Sequence, residues 1–280
     1  MSGSLSHVNI LNLAAKVHFF GETGKGLDGL GRLPIFVQNI FAGCIMWKTC
    51  KLWFLSLFRL FVPRHCAVCG TALDDGEDVL CLKCDIGLPR TNYHLQVDNP
   101  VERRLWGHFP LGRATSYFHY QKGGGYRRIL HQLKYAGRKD YARAMGRLMA
   151  ADLVRSGFFE GVDVLLPVPL HPDKQLRRGY NQSECIAQGV SDVTGIPLSV
   201  GNVVRRQFTE TQTRKSAGQR WLNVEGVFAA TDPAAFVGRH VLLVDDVLTT
   251  GATLTACADA LQGVEGVCFS VLTLAVAEGS

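Results

Sequence analysis

The sequence predicts an α/β protein, a parallel sheet flanked by helices, with a small four-cysteine module ahead of it. Three observations carry that expectation. Val241-Leu242-Leu243-Val244 is a β-branched apolar run too short to be a helix, as buried parallel strands are. It leads into Asp245-Asp246, a Thr/Gly turn and a helical stretch from Leu254 to Leu261, the strand–loop–helix order of a parallel sheet. Cys66, Cys69, Cys81 and Cys84 form two CxxC pairs separated by eleven residues.

Composition sets the bounds. At 280 residues the chain holds one large domain or two small ones with ample core. Its 47% hydrophobic and 19% charged residues are ordinary for a globular protein. The net charge of +6 is uneven: residues 101–220 carry 20 Lys and Arg against 9 Asp and Glu. That excess suits a phosphorylated small molecule, a nucleic acid or an anionic membrane, and does not choose among them. Nine cysteines without a signal peptide point to a reducing, cytoplasmic setting rather than a disulfide framework. Cys44, Cys50, Cys185, Cys257 and Cys268 sit in apolar stretches and read as small buried residues.

Taken in order, residues 1–62 form an N-terminal extension. Its first 33 residues show no sustained period and are expected to be poorly ordered, and Met46 offers an alternative start. Residues 34–62 are strongly apolar, but Lys48 and Lys51 leave no uncharged run of about 18 residues, so no membrane span is expected. Two readings stay open for this stretch. One is an interfacial helix at the inner face of a membrane, with Lys48, Lys51 and Arg59 at the headgroups. The other is a helix packed on the protein's own core.

Residues 63–95 hold the cysteines. Each CxxC turn brings two thiolates to one ion, so two turns complete the four ligands of a closed, structural Zn²⁺ site. Gly70 suits the knuckle after the first pair, and Asp74-Asp75-Gly76 returns the chain. His65 and His94 are spare nitrogen ligands nearby.

Residues 96–280 carry the sheet. The stretch from Leu88 to Phe109, with Asn99-Pro100 among its breakers, reads as a connection. Ala114 to Tyr120 reads as a strand ended by Gly123-Gly124-Gly125; helices follow from Tyr126 to Tyr135 and from Tyr141 to Leu153. A solvated face is the default for Arg127, Arg128, Arg138, Arg143 and Arg147, while Lys134, ahead of a Gly turn, is singled out to reach a ligand. Val162 to Leu170 reads as a strand stopped by its prolines. A basic, Gly-containing loop, Arg177-Arg178-Gly179, opens the next helix and suits pyrophosphate. Residues 203–220 read as a polar loop able to close over a charged ligand, and Val267 to Val276 as a final buried strand.

The array from Asp245 to Thr253 holds the chemistry. A Thr/Gly loop before a helix presents backbone N–H groups and hydroxyls to an anion. Paired carboxylates beside it would repel most nucleotide phosphates, yet they accept hydrogen bonds from ribose hydroxyls. The alternative is an acidic turn with Thr249 or Thr250 as helix cap. The array resembles the phosphoribosyl-pyrophosphate (PRPP) signature of type I phosphoribosyltransferases. That resemblance implies Asp245 and Asp246 on the ribose, and Leu248, Thr249, Thr250, Gly251, Ala252 and Thr253 around the 5′-phosphate.

With the cysteine knuckle, Leu133-Lys134-Tyr135-Ala136-Gly137, Pro167-Val168-Pro169-Leu170, Arg178-Gly179-Tyr180-Asn181-Gln182, then Thr211, Gln212, Arg220, Asn223 and Phe228, the chain is similar to the ComF family over residues 50–276. The resemblance implies a type I phosphoribosyltransferase-like fold behind a zinc-ribbon-like module, and a link to DNA uptake in natural transformation. Other members are described only as amidophosphoribosyltransferase-like. It further implies a pyrophosphate loop at Val168, Pro169 and Leu170 with Arg177, and a mobile loop within residues 205–220. Two functions follow. One is an enzyme taking PRPP with Mg²⁺, with Lys134, Arg178 and Lys215 at the leaving group. The other is a non-catalytic single-stranded DNA-binding protein on the same scaffold, its aromatics Tyr117, Tyr120, Tyr126, Tyr135 and Tyr180 lying among basic residues.

Overall fold

The computed structural model describes residues 64–121, 124–135, 137–206 and 226–277, with Tyr135 described by its backbone. The apolar stretch 34–62, Lys215 and most of the 205–220 loop lie outside these residues. Pro63–Ser280 makes one compact unit.

In chain order the elements are α1 (Leu82–Ile86), α2 (Pro100–Leu105), β1 (Leu111–Tyr120), α3 (Arg127–Tyr135), α4 (Lys139–Leu153), β2 (Val164–Pro167) and α5 (Pro172–Arg178). There follow α6 (Gln182–Thr194), β3 (Val203–Arg205), β4 (Phe228–Ala230), β5 (His240–Leu248), α7 (Ala252–Asp259) and β6 (Cys268–Ala277). The main sheet has the order β1-β6-β5-β2 and every pair in it is parallel, while β3 and β4 form a separate antiparallel pair. The expected parallel sheet flanked by helices is therefore present.

Successive residues of a strand face opposite sides of the sheet, and here both sides are apolar. Leu242 and Val244 enter a core with Ile129, Leu133, Met145 and Ile186, from helices α3, α4 and α6. Val241 and Leu243 enter a second core with Leu105, Leu254, Cys257 and Leu261, under α2 and α7. Strand β5 runs further than its apolar run suggests, because Asp245, Val247 and Leu248 still pair with Thr273, Ala275 and Val276 of β6. The aspartates therefore lie on a paired strand.

Two helices occupy stretches the sequence presents as loop. Helix α2 starts at the very Asn-Pro expected to break structure. The Asn99 side chain accepts hydrogen bonds from Val101 N (3.0 Å) and Glu102 N (3.1 Å), and Glu102 accepts from Asn99 N, a capping box with Pro100 at the first helical position. Helix α5 starts behind His171, whose Nδ1 accepts from Asp173 N, and stops at Gly179 with φ 76°. Arg177 and Arg178 thus sit in the last turn of a helix, where the dipole favours cations.

Helices α4 and α6 cross at two glycines. A Cβ on Gly146 would lie 2.1 Å from Ile186 O, and one on Gly189 would lie 2.1 Å from Arg143 O. Only backbone fits there. The cysteine module docks on the same side of the sheet: Cys66, Ala67, Val79 and Leu80 share the core of α3 and α4. Polar ties add to that packing. Tyr126 donates to Cys84 O (3.2 Å) and Arg128 to Val68 O (3.0 Å), while Arg90 spans Asp85 (2.7 Å) and Asp152 (2.8 Å) over the Tyr117 ring.

Candidate functional site

Ligands of open α/β sheets bind beyond the carboxyl ends of the strands. There the loop after β2, the end of β5, and parts of α3, α5, α6 and β3 enclose a cavity of about 460 Å³. Asp245 and Asp246 line it. Asp246 Oδ2 is 2.9 Å from Lys134 Nζ, so the lysine singled out in the sequence meets the paired acids from the last turn of α3. Asp245 Oδ1 accepts from Ser183 Oγ (2.8 Å) and from Asp246 N (2.8 Å). Burial and the neighbouring Asp246 carboxylate push the Asp245 pKa up to about 7, against the opposing pull of the Asp246 amide, Ser183 and Lys134.

Val168, Pro169 and Leu170 form one wall. Their loop is held by Val168 N donating to Val244 O (2.9 Å) and by Asn181 Nδ2 donating to Val168 O (3.0 Å). Arg178 reaches the cavity from the end of α5 and donates to Gln182 Oε1 (2.8 Å). Thr249 and Thr253 complete the β5–α7 side.

Other members of the signature sit apart from the cavity wall. Leu248 is buried in the core under α7. Thr250, Gly251, Ala252 and Arg177 are not among the lining residues, and Lys215 lies outside the described residues. Gly251, not a threonine, caps α7; its φ is 92° and a Cβ would meet Leu105 Cδ2 at 2.9 Å.

Sequence reasoning missed several lining groups. Tyr120, which the sequence offered only as an aromatic for stacking DNA bases, ends β1 at the ligand edge and lines the cavity. Arg127 lines the cavity instead of serving only as solvated face. Lys174 was hidden because α5 read as loop, and Arg205 belongs to β3, stacked 5.3 Å from Phe228, rather than to a mobile loop. Ser183 carried no signal at all. Arg127, Lys134, Lys174, Arg178 and Arg205 bring five cations to a cavity with two carboxylates, a balance that favours an anionic ligand which also offers hydroxyls.

The Sγ atoms of Cys66, Cys69, Cys81 and Cys84 all lie within 4.8 Å of one another, with Cys69 and Cys81 at 3.6 Å. Four thiolates around one ion at about 2.3 Å would stand about 3.8 Å apart. The four cysteines are therefore at metal-binding distance. Hydrogen bonds from the Thr71 side chain and backbone bring the Cys69 thiol down to about 6, toward the thiolate a metal requires, while burial pushes Cys84 up. Among the described residues no helix is long and apolar enough to cross a membrane.

Residues 177–278 match the phosphoribosyl transferase domain family. The chain is 33% identical over 199 residues to the DNA utilization protein YhgH of Escherichia coli (strain K12), covering 70% of this chain and 83% of that one. It is 35% identical over 144 residues to Competence protein F of Haemophilus influenzae, covering 49% and 62%. To Competence protein ComFC of Bacillus subtilis it is 34% identical over 91 residues, covering 32% and 35%. The chain belongs to the ComF family. Within this ComF protein the matched domain takes in Arg178, α6, the paired aspartates and α7; Lys134 and the cysteine module precede it.

Proposed function

We propose that this ComF protein binds PRPP in the cavity at the end of β5. A single observation carries the reading: two adjacent carboxylates, one held by Lys134 and the other by Ser183, stand in a cavity ringed by five cations. Ribose 2′ and 3′ hydroxyls would donate to Asp245 and Asp246. The 5′-phosphate would lie against the β5–α7 turn, with Thr249 and Thr253. The pyrophosphate, entering with Mg²⁺ as part of the substrate, would face Lys134, Arg178 and the Val168–Leu170 loop, with Arg177 and Lys215 as further candidates.

In an enzyme of this design the C1–O bond to pyrophosphate breaks with its electron pair leaving on pyrophosphate, and an acceptor nucleophile bonds to C1. The protein positions the partners and stabilises the charge. Zn²⁺ on Cys66, Cys69, Cys81 and Cys84 would be structural, since four thiolates leave no open position. The names of the relatives suit a place in competence and DNA use.

The test is thermal stabilisation by PRPP. We expect PRPP to raise the melting temperature of the wild type, and Asp245→Asn with Asp246→Asn to abolish the rise. An unshifted wild type at millimolar PRPP sinks the reading. Pyrophosphate release across a panel of amines and bases then separates enzyme from binding protein. A second reading, single-stranded DNA binding, draws on Arg127 and Lys174, which are exposed and line the cavity. It predicts a steep salt dependence that survives the double mutant.

A further inference from the structure

The loop after β2, the first turn of α6 and the first aspartate of β5 are joined by a buried polar chain. Asn181 Nδ2 donates to Val168 O (3.0 Å), and Asn181 Oδ1 accepts from Ser183 N (3.1 Å) as the cap of α6. Ser183 Oγ then donates to Asp245 Oδ1 (2.8 Å). Asn181 is 7% exposed and Ser183 4%, so neither group exchanges freely with water. Asp246 N also donates to Oδ1. Both hydrogen bonds of this carboxylate among the described residues therefore fall on one oxygen, and Asp245 itself lines the cavity.

We propose that Ser183 is a positioning residue: its hydroxyl orients the Asp245 carboxylate so that Oδ2 meets a ribose hydroxyl. This rests on the PRPP reading and adds to it a residue outside the paired-aspartate signature. Every group facing Asp245 is consistent with that task. Asp246 repels it, Lys134 attracts it from α3, the Cys257 thiol of α7 carries no charge while burial holds its pKa up, and Thr273 pairs with it across β6. Among the described residues Ser183 is the one side chain that reaches its oxygen with a directed hydrogen bond. A bound carboxylate loses directional freedom only where such bonds pin it.

The test compares ligands that use and do not use the ribose. Dissociation constants for PRPP, ribose 5-phosphate and inorganic pyrophosphate are measured by calorimetry for the wild type, Ser183→Ala, Asp245→Asn and the double variant. Ser183→Ala should weaken ribose 5-phosphate and PRPP by about tenfold, the scale of one hydrogen bond to a charged group, and leave pyrophosphate within about twofold. Added to Asp245→Asn, it should have no further effect on ribose 5-phosphate: the asparagine still accepts from Ser183 through its oxygen but turns an NH2 toward the ribose, so the carboxylate contact that Ser183 aligns is already lost. Equal loss for all three ligands, unchanged ribose 5-phosphate affinity, or full additivity in the double variant overturns the role of Ser183. If the wild type binds neither PRPP nor ribose 5-phosphate, the PRPP reading itself falls; if it binds both and only the Ser183 pattern fails, that reading stands.

Discussion

Asp245 is a residue held at a cost. Its folded-state pKa of about 7 lies above the 3.8 of a free aspartate, with burial the largest cause. Between roughly pH 4 and 7 the folded chain keeps a proton that the unfolded chain has lost. Stability from this group therefore falls as pH rises through that window and stays low above it. Asparagine keeps an oxygen for Ser183 and the Asp246 amide but carries no charge. Asp245→Asn should thus raise the melting temperature at pH 8 by about 2–4 °C for each kcal/mol relieved, with a smaller gain at pH 5. A melting curve at each pH reads this; an equal gain at both would remove ionisation as the cause. The opposite sign is expected for function. PRPP binding by the wild type should weaken as pH drops below about 7, when the carboxylate is protonated and becomes a poorer acceptor for the ribose hydroxyls.

At the scale of elements, α6, which carries Ser183 in its first turn, is held against α4 at a crossing of two glycines. Gly146 and Gly189 let the two backbones touch. Gly189→Ala places a methyl where a carbonyl oxygen stands, and helix propensity, which favours alanine by about 1 kcal/mol, will not offset that overlap. We expect a net loss of about 1–3 kcal/mol by urea denaturation. A neutral or stabilising result would mean that the helices are further apart than described. The elements were mostly legible in the sequence, since apolar runs and periods of two and near four mark β1, α3, α4, β5 and β6. Helices α2 and α5 were not. Asn-Pro and His-Pro mark helix starts and chain breaks alike, and only the capping bonds of Asn99 and His171 distinguish the two.

On the scale of the whole molecule, the cysteine module and the sheet share one hydrophobic core. Cys66, Ala67 and Leu80 pack with Ile129, Leu133 and Met145, and Arg90 ties Asp85 of the module to Asp152 of α4. Metal removal should therefore not unfold the module alone. We expect about one zinc per chain by elemental analysis. Chelator treatment, or Cys84→Ser, should lower the melting temperature of a single transition covering residues 63–280. Two separate transitions, with the later one unmoved, would show the module to be thermodynamically independent.

By itself the sequence determined the candidate site residues that are local in the chain: the two CxxC turns, the paired aspartates at the end of an apolar strand, and Lys134 ahead of its turn. Their spacing is set by covalent geometry, so it can be read without a fold. The tertiary structure alone decided which distant groups face one another. Lys134 meets Asp246 across 112 positions and Ser183 meets Asp245 across 62, and Arg127, Lys174 and Arg205 converge on one cavity. No periodicity encodes those meetings. They follow from sheet order and from how closely α3, α5 and α6 pack, which side-chain volume and two glycines set in space rather than along the chain.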